Sequence, residues 1–466
     1  MAPIAAVALL LACSRAPATT YDLVIANGRV MDPESGLDST RHLGITGGKI
    51  AVISAEPLQG TRTIDATNHV VAPGFVDLHE HGQQEESYAL MVRDGVTSAL
   101  ELEVGDGNIA EWYKTREAPQ LVNFGVSVGH IKARMKVLND PSKDLLPAGA
   151  GGTGSATDAQ QAAMAEILRQ GLAEGAVAVG FGSAYTPGAT MAEMERMFRV
   201  AAEAGASGHI HLRNGVPGLD STIAAAKAAG MKLHIVHLNS VGNDDIDTFI
   251  ARITAAREAG QDVTTEAYPY GAGMTSIQSA LFDDWQTWPE ERYALHQLVS
   301  TGERLTKATF AKARKDGGTV IIHGRSEEQT KKGIVNPLAM VASDGFIENG
   351  RGHPRTSGTY AKVLGKYVRD EQALPLMDAL RKMTLLPAQR LEARVPAMAA
   401  KGRIKVGADA DLTIFDPQTV IDRSTYTDAT IPSAGIPYVL IAGQVVVDSG
   451  KVTAARPGRP LRAPTR

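Results

Sequence analysis

The chain of 466 residues has one cysteine, so an internal disulfide framework is excluded and the core alone must hold the fold. Long apolar runs are missing too, and none reaches the length that spans a bilayer. Charge of one sign is not in excess: the formal net charge is -4, with acidic and basic residues interspersed. Without a basic stripe to neutralise phosphates, nucleic acid is not an expected partner. No internal repeat is evident. The glycine-rich stretch "GAGGTGSAT" lacks the Gly-Lys-Ser/Thr ending of a phosphate-binding loop and reads as a flexible connector. What the chain does have is 44% apolar content and 47 glycines, enough for one large α/β domain plus a smaller one.

The lone cysteine has a second meaning. Cys13 follows Leu10, Leu11 and Ala12, and a short apolar segment ending in Leu-Leu-Ala-Cys resembles a bacterial lipoprotein signal, with cleavage before Cys13 and lipidation of its thiol. The segment has no Lys or Arg before the apolar run, which departs from that signal and leaves an unlipidated secretory signal as the alternative. Residues 1–20 are therefore expected to be a lipoprotein signal and tether. The mature protein would face the periplasm from the cell envelope, at the outer membrane, touching the membrane through its lipid anchor only.

From Tyr21 to about Val71, strands such as "DLVIANGRV" and "GKIAVISA" are separated by Gly, Asp and Pro turns. The same texture returns in "DLTIFD" and "YVLIAGQVVVDSGKV", so residues 21–72 and 400–460 are expected to build one small β-sandwich from both chain ends. Between them, over 73–399, apolar strand-like runs alternate with Ala-rich helical stretches, the mark of parallel βα units. Eight candidate strands end near His81, Glu103, His130, Ser183, His211, His237, Tyr268 and Asp344, which predicts an α/β fold of the TIM (β/α)8 barrel type. Residues 271–336, between the seventh and eighth strands, are too long for an ordinary connection. They contain Trp285, Trp288 and the strand-like "TVIIHG", and read as an inserted lid.

The polar residues fall at the strand ends, where barrel enzymes keep their chemistry. In "GFVDLHEHG", His79 and His81 stand two apart on one face of a strand, with Asp77 deeper on that face as a structural residue. Strand five, "GHIHLRN", ends with His209 and His211. Strand six, "KLHIVHLN", ends with His237, while His234 has the opposite parity. Strand eight, "MVASDG", ends at Asp344. Imidazoles and a carboxylate converging on one barrel mouth predict a metal site.

These residues belong to longer blocks: "APGFVDLHEHG", "VSVGHIKAR", "HIHLRN", "VHLN", "DVTTEAYPY", "ASDG", "GHPR" and "GADADLTIFDP". Together they resemble the metal-dependent amidohydrolase superfamily, and within it the D-aminoacylases (N-acyl-D-amino-acid deacylases), from about Tyr21 to Arg462. The resemblance implies hydrolysis of the N-acyl amide of a small N-acyl-D-amino acid at a centre of one or two Zn2+ ions. It selects His211 over His209, so the ligands are His79, His81, His211 and His237. It makes Asp344 the catalytic base that then returns its proton to the leaving amine. It also implies that Arg355 and Tyr270 hold the substrate carboxylate, with Tyr185 at the carbonyl oxygen.

Two departures stand out. Where the family reads His-Leu-Lys, this chain reads His237-Leu238-Asn239, so a cation near the substrate carboxylate is missing, and Lys132 and Arg134 are candidates to compensate. The family's strand-two cysteine, and the strand-four lysine of its relatives, are absent as well. Strand two instead reads "GVTSALELEVGDG", with Glu101 and Glu103 on one face and Glu103 nearer the mouth. Glu103 is therefore the expected shared ligand and Glu101 the runner-up, which a bulge would exchange. A dipeptidase or cyclic-amide hydrolase on the same barrel is the alternative within the class, and a non-catalytic acyl-amino-acid-binding lipoprotein the alternative outside it.

Overall fold

The structure, a computed structural model, describes residues 20–465, and Cys13 lies outside them. Its centre is a sheet of eight parallel strands: β1 (Phe75–Asp77), β2 (Val96–Asp106), β3 (Asn123–Gly129), β4 (Val179–Gly182), β5 (Ser207–His211), β6 (Lys232–Ile235), β7 (Val263–Ala267) and β8 (Ala339–Val341). They neighbour one another in sequence order. β1 and β8 share no ladder. The barrel closes just past their ends, where the Asp344 N–H donates to the His79 carbonyl (2.6 Å) and the His81 N–H to the Gly345 carbonyl (3.0 Å).

Sequence chemistry explains the connecting helices. Asp158–Ala173 starts at Thr157, which forms a reciprocal capping box with Gln160, and buries Met164, Leu168 and Leu172 against the sheet. Met191–Glu203 starts at Thr190, whose hydroxyl caps Glu193, and buries Met194, Met197 and Phe198. Such helices cover the outside of the barrel, so strands β3, β4 and β8 are buried along their whole length.

Both chain ends join in one nine-stranded mixed sheet, in which Val70–Pro73 pairs with Leu412–Phe415 of the C-terminal segment. It curls onto itself: the Ile50 N–H donates to the Ala408 carbonyl (3.0 Å) and the Ala410 N–H to the Gly48 carbonyl (2.9 Å). Leu23, Ile25, Leu43, Ile50, Leu412 and Leu440 fill the space enclosed. Among the described residues no helix is long and apolar enough to cross a membrane.

Within 271–336, strands Gly273–Ser276, His296–Leu298 and Thr319–Ile322 form a separate antiparallel sheet. Ile277, Phe282, Trp288, Tyr293 and Phe310 give it a core of its own. The glycine-rich segment differs from expectation. Instead of a flexible connector it is pinned, because the buried Asp140 carboxylate accepts from the N–H groups of Ala148, Gly149 and Gly151, and the Arg134 Nε donates to the Gly151 carbonyl (2.8 Å).

Candidate metal centre and active site

Four side chains from β1, β2 and β8 meet at the barrel mouth. The Nε2 atoms of His79 and His81 are 3.2 Å apart, and Glu103 Oε2 lies 3.1 Å and 3.3 Å from them. Asp344 Oδ1 is 3.4 Å and 3.3 Å from the same two nitrogens. The other oxygen of Glu103 faces a second group: Oε1 is 2.7 Å from His211 Nδ1 and 3.6 Å from His237 Nε2, and those nitrogens are 3.1 Å apart. The two groups could each hold a metal ion, and Glu103 is common to both. This is the position expected of a shared ligand.

Glu101 has a different task. Its Oε2 is 2.5 Å from His81 Nδ1, and its Oε1 accepts the N–H groups of Val104 (3.0 Å) and Gly105 (3.2 Å). The pairing of β2 with β3 shifts register between Glu101 and Asp106, and Gly105 takes φ +67 within that shift. Glu266, on β7, does for His79 what Glu101 does for His81, with Oε1 2.5 Å from His79 Nδ1. A carboxylate on Nδ1 selects the tautomer whose Nε2 is a lone pair. Two such lone pairs then face each other and the oxygens of Glu103 and Asp344, an arrangement of acceptors that is stable only around a cation.

The electrostatics agree. Burial by itself would lower the pKa of His79, but Asp344, Glu266 and Glu103 raise it well above the usual imidazole value. Burial would raise that of Glu103, yet His79, His211 and His237 hold it well below the carboxylate range. Asp344 is held down to about 2 against its own burial, chiefly by Arg355 and His79. His237 is pushed down to about 4 by burial and by neighbouring His211, so it is a neutral donor at ordinary pH.

Arg355 is fully buried, with Nη1 2.8 Å from Asp344 Oδ2. That contact is an ion pair without hydrogen-bond alignment, so Nη1 and Nε keep unspent N–H groups. Tyr185 packs its ring against His211, centroids 4.6 Å apart, and lines a cavity of about 450 Å3 that reaches His81, Glu103 and Asp344. Asp77 accepts the N–H groups of His79 and Ser343 (both 3.1 Å), the structural role expected of it.

Other expected residues sit elsewhere. Tyr270 donates to Asp422 Oδ2 (3.0 Å), and it is Tyr268 that lies beneath Arg355, with the guanidinium 4.7 Å from the ring centre. Asn239 is turned from the cavity: its amide donates to the Tyr268 carbonyl (2.9 Å) and accepts the Tyr268 N–H (3.4 Å). Asn239 was a substrate-side candidate only because it replaces the family's lysine, and the left-handed turn at His237, φ +35, starts the short helix that carries it away from the cavity. Arg134 cannot compensate for the missing cation, because Glu193 and the glycine-rich segment consume its guanidinium. The ammonium of Lys132 donates to the Asp144 carbonyl (2.8 Å) and lines a groove on the other side of His81 and Glu101. His209 and His234 pack with tilted rings behind the site, centroids 4.5 Å apart, and His234 bonds Glu266 (2.8 Å).

The sequence profile of the amidohydrolase family matches residues 62–447. The chain belongs to the amidohydrolase family. It is similar to the N-acyl-D-glutamate deacylase of Alcaligenes xylosoxydans xylosoxydans, at 32% identity over 95% of this chain and 96% of that protein. It is also similar to the D-aminoacylase of the same organism, at 28% identity over 96% and 99%. Among solved structures, it resembles an N-acyl-D-glutamate deacylase from Bordetella bronchiseptica, complexed with zinc and a phosphonate inhibitor that mimics the reaction's tetrahedral intermediate. The TM-score is 0.81 at 27% identity, covering 96% of this chain and all of that one.

Sequence reasoning missed two members of this amidohydrolase's site, Glu266 and Tyr268. Both lie in the quoted "DVTTEAYPY", and two-residue alternation from the end of β7 puts them on one face, a signal that was available. Their roles give a test. Glu266→Gln and Glu101→Gln keep shape and lose charge, and each is expected to weaken zinc retention about 10- to 100-fold in chelator competition. Glu103→Ala is expected to lose metal from both groups. Unchanged affinity in all three variants would falsify this assignment.

Proposed function

We propose that this amidohydrolase hydrolyses the N-acyl amide bond of N-acyl-D-amino acids, releasing a carboxylate and a free D-amino acid. The observation that carries the reading is the continuity of three groups: a carboxylate common to two histidine pairs, a second carboxylate across from it, and a buried guanidinium with unspent N–H groups beside the second. The similarity to deacylases over almost the whole chain supports it.

His79, His81, Glu103 and Asp344, and Glu103 with His211 and His237, would hold zinc, which when bound would supply Lewis acidity to the amide carbonyl and lower the pKa of water. The residues do the rest. Asp344 accepts a proton from the attacking water at the mouth of the cavity and passes it to the departing nitrogen, which leaves poorly as an anion. Arg355 orients Asp344 and offers its free N–H groups to the substrate carboxylate, so the scissile bond and the base are placed by one guanidinium. Tyr185, buried against His211, is set to donate its hydroxyl to the carbonyl oxygen as negative charge develops there. Met274, Leu146, Phe346 and Ile347 give the cavity an apolar wall that would take acyl and side-chain carbon and exclude water.

A panel of N-acetyl-D- and L-amino acids, acidic and apolar, tests the reaction, with faster turnover of the D-enantiomers expected. Faster hydrolysis of the L-forms throughout would move the assignment to a peptidase-like reaction. On the best substrate, Asp344→Asn is expected to lower kcat about 100-fold or more. Near wild-type turnover would remove Asp344 as the base.

We also propose that the protein is an envelope lipoprotein acylated at Cys13, on the strength of the Leu10-Leu11-Ala12-Cys13 pattern. Cys13→Ser is expected to shift the protein from the membrane to the soluble fraction with kcat/KM unchanged. Membrane association that persists in the variant would overturn the lipid anchor.

A further inference from the structure

Arg325 follows the last strand of the inserted subdomain and reaches back toward the barrel. Its Nη1 donates to the Tyr268 hydroxyl (3.3 Å) and the Tyr270 carbonyl (3.2 Å), and its Nη2 to Ser240 Oγ (2.8 Å). The guanidinium lies 5.5 Å from the centre of the Tyr268 ring, the same ring that Arg355 covers at 4.7 Å. Ser240 follows Asn239 directly, so this cation stands next to the position where the sequence lacks one.

The charges do not balance. Arg355 has Asp344 as its counter-ion, whereas among the described residues Arg325 has neutral partners only, and its Nε is buried without an acceptor. Two guanidiniums share one aromatic ring and only Arg355 is paired with a carboxylate, which leaves a second anion unsupplied. Space exists as well. A side chain at Gly273 would begin 3.4 Å from the Tyr268 hydroxyl and 3.9 Å from Arg325 Nη2, so the bare backbone there keeps this corner open. Gly273 starts the strand whose next residues, Met274, Thr275 and Ser276, line the cavity.

We propose that Arg325 is a substrate-binding residue that grips the free carboxylate of the acyl amino acid together with Arg355, across the ring and hydroxyl of Tyr268. The assignment rests on the deacylase reading and adds to it. It gives the missing strand-six cation a replacement from the inserted subdomain, and it explains how Asn239 can be spent on holding the Tyr268 backbone. A planar guanidinium suits the task, since it meets a carboxylate with two parallel N–H groups.

The test compares an N-acetyl-D-amino acid with its carboxamide, which has the same shape and no charge. Arg325→Met is expected to lower kcat/KM on the acid about 10- to 100-fold, mainly through KM, and to leave the carboxamide nearly unaffected. Arg325→Lys keeps the charge and loses the fork, and is expected to restore part of the difference. A loss that is equal on acid and carboxamide would make Arg325 a structural residue and overturn the proposal. So would an unchanged KM in a variant that folds normally, with the deacylase reading intact. Absence of turnover by the wild-type protein on either compound would instead count against the reading itself.

Discussion

Everything at the mouth of this barrel is arranged around one charge taken out of water. The Glu103 carboxylate is 2% exposed, and an ion so placed costs several kcal/mol unless it is surrounded by compensating groups. Four imidazoles answer it, two on each oxygen. The neighbourhood follows from this need. Glu101 and Glu266 fix the outward nitrogens of the first pair, and the bulge after Glu101 lets the strand present two acidic residues to different partners. On the next strand but one, Gly180 has no side chain because a Cβ there would come within 2.3 Å of the Glu103 carbonyl.

The cavity has a different origin from the chemistry. The ligands come from barrel strands, whereas Met274, Thr275, Ser276 and Thr319 on its other side come from the inserted sheet. That sheet packs around its own aromatic cluster. A rigid catalytic set is thus faced by a wall with a separate core, so the shape of the cavity can differ while the metal ligands stay where they are.

Most of this was legible in the chain. Strand ends were readable because polar residues interrupt apolar runs there, and the histidines, Asp344 and Glu103 stand at those points. The rule of alternation stopped working where the strands stopped. His237 and Asp344 both adopt left-handed backbone, φ +35 and +54, at a cost of about 1–3 kcal/mol each, and past such a turn the facing of a side chain no longer follows from its parity. Asn239 and Tyr270 were candidates by resemblance alone, and in this structure their side chains are bonded to the Tyr268 backbone and to Asp422 instead. Arg134 was misjudged too. Its partners, Glu193 and the carbonyls of the glycine-rich segment, are distant in sequence, and nothing local announces that a guanidinium is already spent.

The seam of the barrel runs through the active site. Strands β1 and β8 meet only past their ends, through the backbone of His79, His81, Asp344 and Gly345, and the Ser343 hydroxyl joins the same carbonyl across 264 residues of chain. A contact of that sequence separation forms late, after the intervening units have found their places. A chain halted before that step therefore lacks Asp344 at the first group. Closure of the barrel is what adds Asp344 to the group of His79, His81 and Glu103, whereas the group of Glu103, His211 and His237 is drawn from strands on one side of the seam.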